Sequence, residues 1–140
     1  MISKRYIKKY IKRMFNIDVD IYIQHHFWGG YGAKAYKGSE TEPHVIEIVR
    51  SELEGELPRY LIWHEVGHLF TPNARGGVKC ELEAQWWALQ EAKKRGYKKL
   101  YKELVEYVRE WVYDKISCAE DKKYKRAGRI ILQRLGEYPK

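Results

Sequence analysis

Two cysteines in 140 residues, Cys80 and Cys118, are too few for a disulfide framework, so a packed core and not covalent staples must hold this chain. No apolar run approaches the roughly 20 residues of a membrane helix. Charged residues run throughout the N-terminal segment, which therefore lacks the apolar stretch of a signal peptide. A soluble, cytoplasmic protein without membrane partners is expected. The chain has no repeat and no low-complexity linker, and its length suits one domain over residues 1–140 that buries about two thirds of its chain surface. Met, Cys, Asn and Gln are scarce beside abundant Lys, Glu, Tyr and Ile, a thermophile-like bias in which intracellular disulfides do occur. Finally, no histidine follows His68, which narrows any ligand set downstream of it.

What is present begins with His64-Glu65-Val66-Gly67-His68. Four residues turn a helix through about 400° and advance it about 6 Å, so both imidazoles leave one face and can hold a single ion. Glu65 falls one step round, within reach of water on such an ion without having to ligate it. Zinc lowers the pKa of water it binds to about 7, and a neighbouring carboxylate can take the proton as that water attacks a polarised carbonyl. Leu57, Tyr60, Leu61, Val66, Leu69 and Phe70 give the segment helical apolar spacing; Pro58 suits its first turn, and Thr71-Pro72-Asn73 with Gly76-Gly77 ends it.

One zinc catalytic ion needs at least a third protein ligand. A histidine six residues after His68 with a glycine at the third would make a metzincin; Ala74 and Thr71 stand there and exclude it. Cys80, Glu81 and Glu83 remain, at the start of a helical stretch from about Val78 to Arg95. Glu81 shares a stripe with Ala84, Gln85, Ala88 and Ala92, small residues that permit close helix approach, whereas Glu83 shares one with Trp87, Gln90 and Lys94, an exposed margin. Glu81 is the better ligand, with a Cys80 thiolate as the minority option.

The rest of the chain reads simply. Ile2, Tyr6, Ile7, Tyr10, Ile11, Met14 and Phe15 mark an amphipathic first helix. Val19, Ile21 and Ile23 alternate as a strand, His25 to Gly32 reads as a loop, and Gly32 to Lys37 and Pro43 to Arg50 as two further strands. Leu100, Leu104, Val108, Trp111 and Val112 mark a later helix; Ser117 with Glu120 forms a capping box opening another, with Gly136 near its end. The expected fold is α+β: an N-terminal helix (1–16), a three-stranded, mostly antiparallel sheet (17–50), the two motif-bearing helices (56–95) and two C-terminal helices (97–140).

His64-Glu65-Val66-Gly67-His68 followed by Glu81-Leu82-Glu83-Ala84-Gln85 resembles the gluzincin class of zinc metallopeptidases, most of all the minigluzincins, whose second motif is glutamate, two variable residues, alanine, then an acid or asparagine. The resemblance implies a small zincin-like domain that hydrolyses peptides or proteins, with His64, His68 and Glu81 on zinc, Glu65 as base, and Gln85 beside a zinc histidine. Gln85 departs from the usual acid or asparagine: its oxygen can accept an imidazole N–H but adds no negative charge. An oxyanion stabiliser, elsewhere a downstream His or Tyr, would fall to Tyr97, Tyr101, Tyr107 or Arg109. An edge strand would bind extended substrate, and His44, Val45, Ile46, Glu47 and Ile48 are the candidates. His25, His26 and His44 otherwise read as surface or core histidines.

Minigluzincins also resemble zymogens, which implies that the segment from Gly136 to Lys140 could turn back on the site with a carboxylate or Tyr138; a tail that only frays is the plainer expectation. Charge is uneven. Residues 1–16 carry six basic and no acidic side chains and residues 97–140 twelve and seven, around a mildly acidic middle. Nucleic acid or acidic substrates could answer this excess, but the solvated faces of amphipathic helices explain it more simply. The alternative to a peptidase is a catalytically silent, zinc-stabilised nucleic-acid-binding or regulatory domain on the same scaffold.

Overall fold

Residues Lys4–Phe15 form helix α1 because Ile7, Tyr10, Ile11 and Phe15 fall on one face and are buried there, while both ends are capped. Ser3 accepts the Tyr6 N–H at 3.1 Å, and Asn16 closes the helix in the left-handed conformation at φ 56°. The structure, a computed structural model, describes residues 1–25, 32–72, 77–113 and 121–138.

Three strands follow, β1 (Val19–Gln24), β2 (Ala33–Tyr36) and β3 (His44–Val49), each close to its expected span. Their order is β1-β3-β2. β3 runs parallel to β1, with Ile21 opposite Ile46, and antiparallel to β2, with Ala35 opposite the same Ile46. The sheet is thus mixed, one of its two pairings being parallel. Alternation of apolar residues reports which face a side chain takes and not which strand lies alongside, so this order was not legible. The β2–β3 connection is tightened by Gly38, whose N–H donates to His44 Nδ1 at 2.8 Å; a Cβ at Gly38 would run into the Glu42 carbonyl.

A short 3₁₀ turn at Arg50–Leu53 leads to α2 (Arg59–Phe70), then α3 (Val78–Lys94), α4 (Lys98–Tyr113) and α5 (Asp121–Arg134). The architecture is α+β, as expected. The packing forms two compact units, Met1–Glu65 and Val66–Lys140, with the division inside the continuous helix α2. In the first, Ile7 and Ile11 share a core with Ile46, Ile48, Leu53 and Trp63. Trp63 donates its indole N–H to the Tyr10 hydroxyl at 2.8 Å and meets Phe15 edge to face at 4.8 Å, so its polar atom is satisfied in burial. In the second, α3, α4 and α5 bury Ala88, Leu89, Leu104, Val108, Ile131 and Leu132 among them. The α4 face expected from its spacing, Leu100, Leu104, Val108, Trp111 and Val112, is the buried one. The Ser117–Glu120 capping box and Cys118 lie outside the described residues, as does His26. No helix of the described residues is long and apolar enough to cross a membrane.

Candidate metal centre

Helix α2 begins just after Pro58, whose carbonyl accepts from Leu61 and Ile62, and ends where the Thr71 hydroxyl and N–H both turn back onto the Gly67 carbonyl. Leu61, Ile62, Trp63, Val66 and Leu69 are buried, and the polar residues between them are buried with the helix: His64 is 2 % exposed and Glu65 5 %. Burying a carboxylate and an imidazole is costly unless each is partnered, so their presence here demands a reason. Among the described residues every buried side-chain nitrogen or oxygen has a hydrogen-bond partner.

Gly67, a variable position of the five-residue motif, has a structural duty. A Cβ there would run into the Ala84 carbonyl of α3, so a glycine and an alanine let the two backbones meet. That approach brings Glu81 to the histidines. His68 Nε2 lies 3.0 Å from Glu81 Oε1, and His64, His68 and Glu81 each offer a ligand atom with all three within 4.8 Å of one another. Three such atoms are close enough to hold a metal ion.

The α3 stripe resolves the choice among candidates. Glu81, Ala84, Gln85, Ala88 and Ala92 are all buried, whereas Glu83 is half-buried and pairs with Lys79 at 3.9 Å along its own helix. Cys80 takes a different place from the thiolate ligand considered for it: its sulfur stands 3.3 Å from His68 Nδ1, the nitrogen opposite the one that faces Glu81. Gln85, fully buried, donates its amide N–H to the Leu104 carbonyl at 3.0 Å. With the nitrogen anchored on α4, the end left to serve an imidazole N–H is the oxygen, which that role requires.

Several expectations are corrected. The strand expected to receive substrate, His44 to Ile48, is the central one: β1 pairs along His44–Val49 and β2 along 45–48, so its main-chain groups are already engaged on both sides. His44 is committed through Nδ1 to Gly38. Tyr97 and Tyr101 stand at the far end of α3, where with Ala92, Lys93, Gly96, Lys98 and Lys102 they line a pocket of about 300 Å³. A helix of 17 residues is about 25 Å long, and Tyr97 follows its last turn, which leaves Tyr97 roughly 20 Å from Glu81. Arg109 is held by Glu137, with Nε–Oε2 at 3.1 Å and Nη2–Oε1 at 2.8 Å, and by Glu106 at 2.9 Å. The hydrogen bonds to Glu106 and Glu137 raise its pKa further, and the pair ties down the segment after α5, so the Glu137 carboxylate serves as an anchor on α4. Lys140 lies outside the described residues. The Tyr107 ring meets Trp111, and Trp111 meets Tyr124, the neighbour in sequence of a lysine at Glu81.

Two residues escaped the sequence reading. Lys123 of α5 places Nζ 3.9 Å from Glu81 Oε2. Tyr36, on the flanking strand β2, has its pKa raised by burial and then by the negative charges of Glu47 and Glu65, which puts its phenol in electrostatic reach of Glu65. Neither has a local pattern; only the β-alternation of residues 33–36 hinted that Tyr36 faces away from Ala35. No family model matches the chain, and no curated protein or solved structure matches it either.

Proposed function

We propose that the chain is a zinc-dependent peptidase of gluzincin type, with His64, His68 and Glu81 as ligands and Glu65 as general base and then acid. The observation that carries this reading is the convergence of two histidines and a carboxylate, ligand atoms within 4.8 Å of one another, on a helix whose next residue after His64 is a buried glutamate. Two imidazoles and one carboxylate suit zinc and leave a coordination position for water. The ion would supply Lewis acidity to that water and to a substrate carbonyl. Glu65 takes the proton as water attacks and returns it to the departing amine. Gln85 and Cys80 hold the imidazoles in orientation, Cys80 from His68 Nδ1.

With β3 paired on both sides, β1 and β2 hold the sheet edges, and of these we assign the added strand of an extended peptide to β2. β2 carries Tyr36, half exposed, whose phenol is a donor near neutral pH and whose pKa is raised by partial desolvation and by the charges of Glu47 and Glu65. It donates to the carbonyl oxygen as negative charge develops there. The test is cleavage of a peptide library by the wild type and by Glu65→Gln, with metal content measured on both. The expected outcome is chelator-sensitive cleavage that falls at least about 100-fold in Glu65→Gln while metal is retained. Undiminished cleavage by the metal-loaded variant would remove the hydrolytic role. A metal-loaded wild type that cleaves nothing and binds nucleic acid with steep salt dependence would turn the reading to a catalytically silent binding domain.

A further inference from the structure

Glu81 uses its two oxygens differently. Oε1 faces His68 Nε2 at 3.0 Å, on the side where the ligand atoms converge; Oε2 faces Lys123 Nζ at 3.9 Å. The glutamate side chain is 7 % exposed and the lysine 22 %, so this pair is shielded from solvent, unlike the pairs at Lys8–Asp20 or Lys12–Asp18. Lys123 is also supported from below. Its ammonium stands 5.3 Å over the Tyr124 ring, which meets the buried Trp111 edge to face at 5.0 Å, and Trp111 meets Tyr107 in the same manner at 5.3 Å. A lysine placed only for solubility would extend into water; this one spends rotamer freedom to lie against a buried carboxylate.

We propose that Lys123 is a positioning residue for the metal site, holding the outer oxygen of Glu81 so that the carboxylate presents a single oxygen to the ion. The inference rests on the metal-site reading above. A carboxylate with both oxygens uncommitted can bind a cation through either or both, and the two modes differ in coordination number and in the charge delivered. An ammonium 3.9 Å from one oxygen biases that choice by its charge and would draw negative charge from the ligand, leaving a bound ion a stronger Lewis acid. The proposed effect of the ammonium passes through Glu81.

Cobalt substitution reads this directly, because the visible absorption of cobalt(II) weakens as its coordination number rises. Wild type, Lys123→Met and Lys123→Arg are each titrated with cobalt(II), with the fold of each checked by circular dichroism; Lys123→Gln replaces the methionine variant if that one does not fold. The expected result is an intense spectrum for the wild type, a weaker and shifted one for Lys123→Met, and recovery in Lys123→Arg, which keeps the cation. Zinc-loaded Lys123→Met is expected to lose about tenfold in kcat with KM little changed, as for loss of an interaction felt in the transition state. Identical cobalt spectra in all variants would overturn the role of Lys123 and leave the metal site standing. A wild type that takes up no cobalt would overturn both.

Discussion

The start of α3 and the junction of its end with α4 both carry polar side chains and do opposite things with them. At its start, Cys80, Glu81 and Gln85 are buried, and each meets a specific partner, His68 for the first two and the Leu104 carbonyl for the third. At its end, Lys93, Lys98, Lys102, Tyr97 and Tyr101 border an open, largely apolar pocket, and Arg95 closes a local pair to Glu91 at 3.0 Å. The second arrangement is what solvated helix ends adopt by default. The first is expensive, because a buried carboxylate must recover its lost hydration from neighbours. Burial with specific partners therefore sets the candidate metal group apart from the surface.

The comparison breaks first at Gly67. If burial at the Glu81 end depends on the close approach of α2 and α3, Gly67→Ala, which drives a methyl into the Ala84 carbonyl, should cost about 1–3 kcal/mol in denaturant unfolding and lower metal affinity at least tenfold. Unchanged stability and affinity would mean that the approach is not what assembles the group. Gln85→Leu comes next: removing the donor strands the Leu104 carbonyl in the core, an expected loss of about 1–3 kcal/mol by the same unfolding measurement, with weaker metal binding if the Gln85 oxygen serves an imidazole. At the other end of the helix, Tyr97→Phe combined with Tyr101→Phe should leave peptide turnover within error and change stability by less than about 0.5 kcal/mol each. A large loss of turnover there would return those tyrosines to the site.

What could be read in the sequence was what local periodicity encodes. The 3.6-residue repeat places His64 and His68 on one face, and the stripe of Ala84, Ala88 and Ala92 separates Glu81 from Glu83. The β-period of two located the strands but carried no information about neighbours, so β3 was assigned to an edge and is central. Lys123 lies 42 positions beyond Glu81, on a helix whose lysines all look like solvent-facing charge. Its approach depends on how α5 crosses α3, which packing decides and spacing does not. Tyr97 shows a related limit: sequence proximity to the Glu81 helix says nothing of which end a residue joins.

Metal content by inductively coupled plasma mass spectrometry, on the wild type, Glu81→Ala and Glu83→Ala after equal zinc loading and desalting, bears most directly on the site. The account predicts one zinc per chain in the wild type and in Glu83→Ala, whose carboxylate pairs with Lys79, and loss of most of it in Glu81→Ala. Zinc retained by Glu81→Ala and lost from Glu83→Ala, or absent from the wild type, would contradict it.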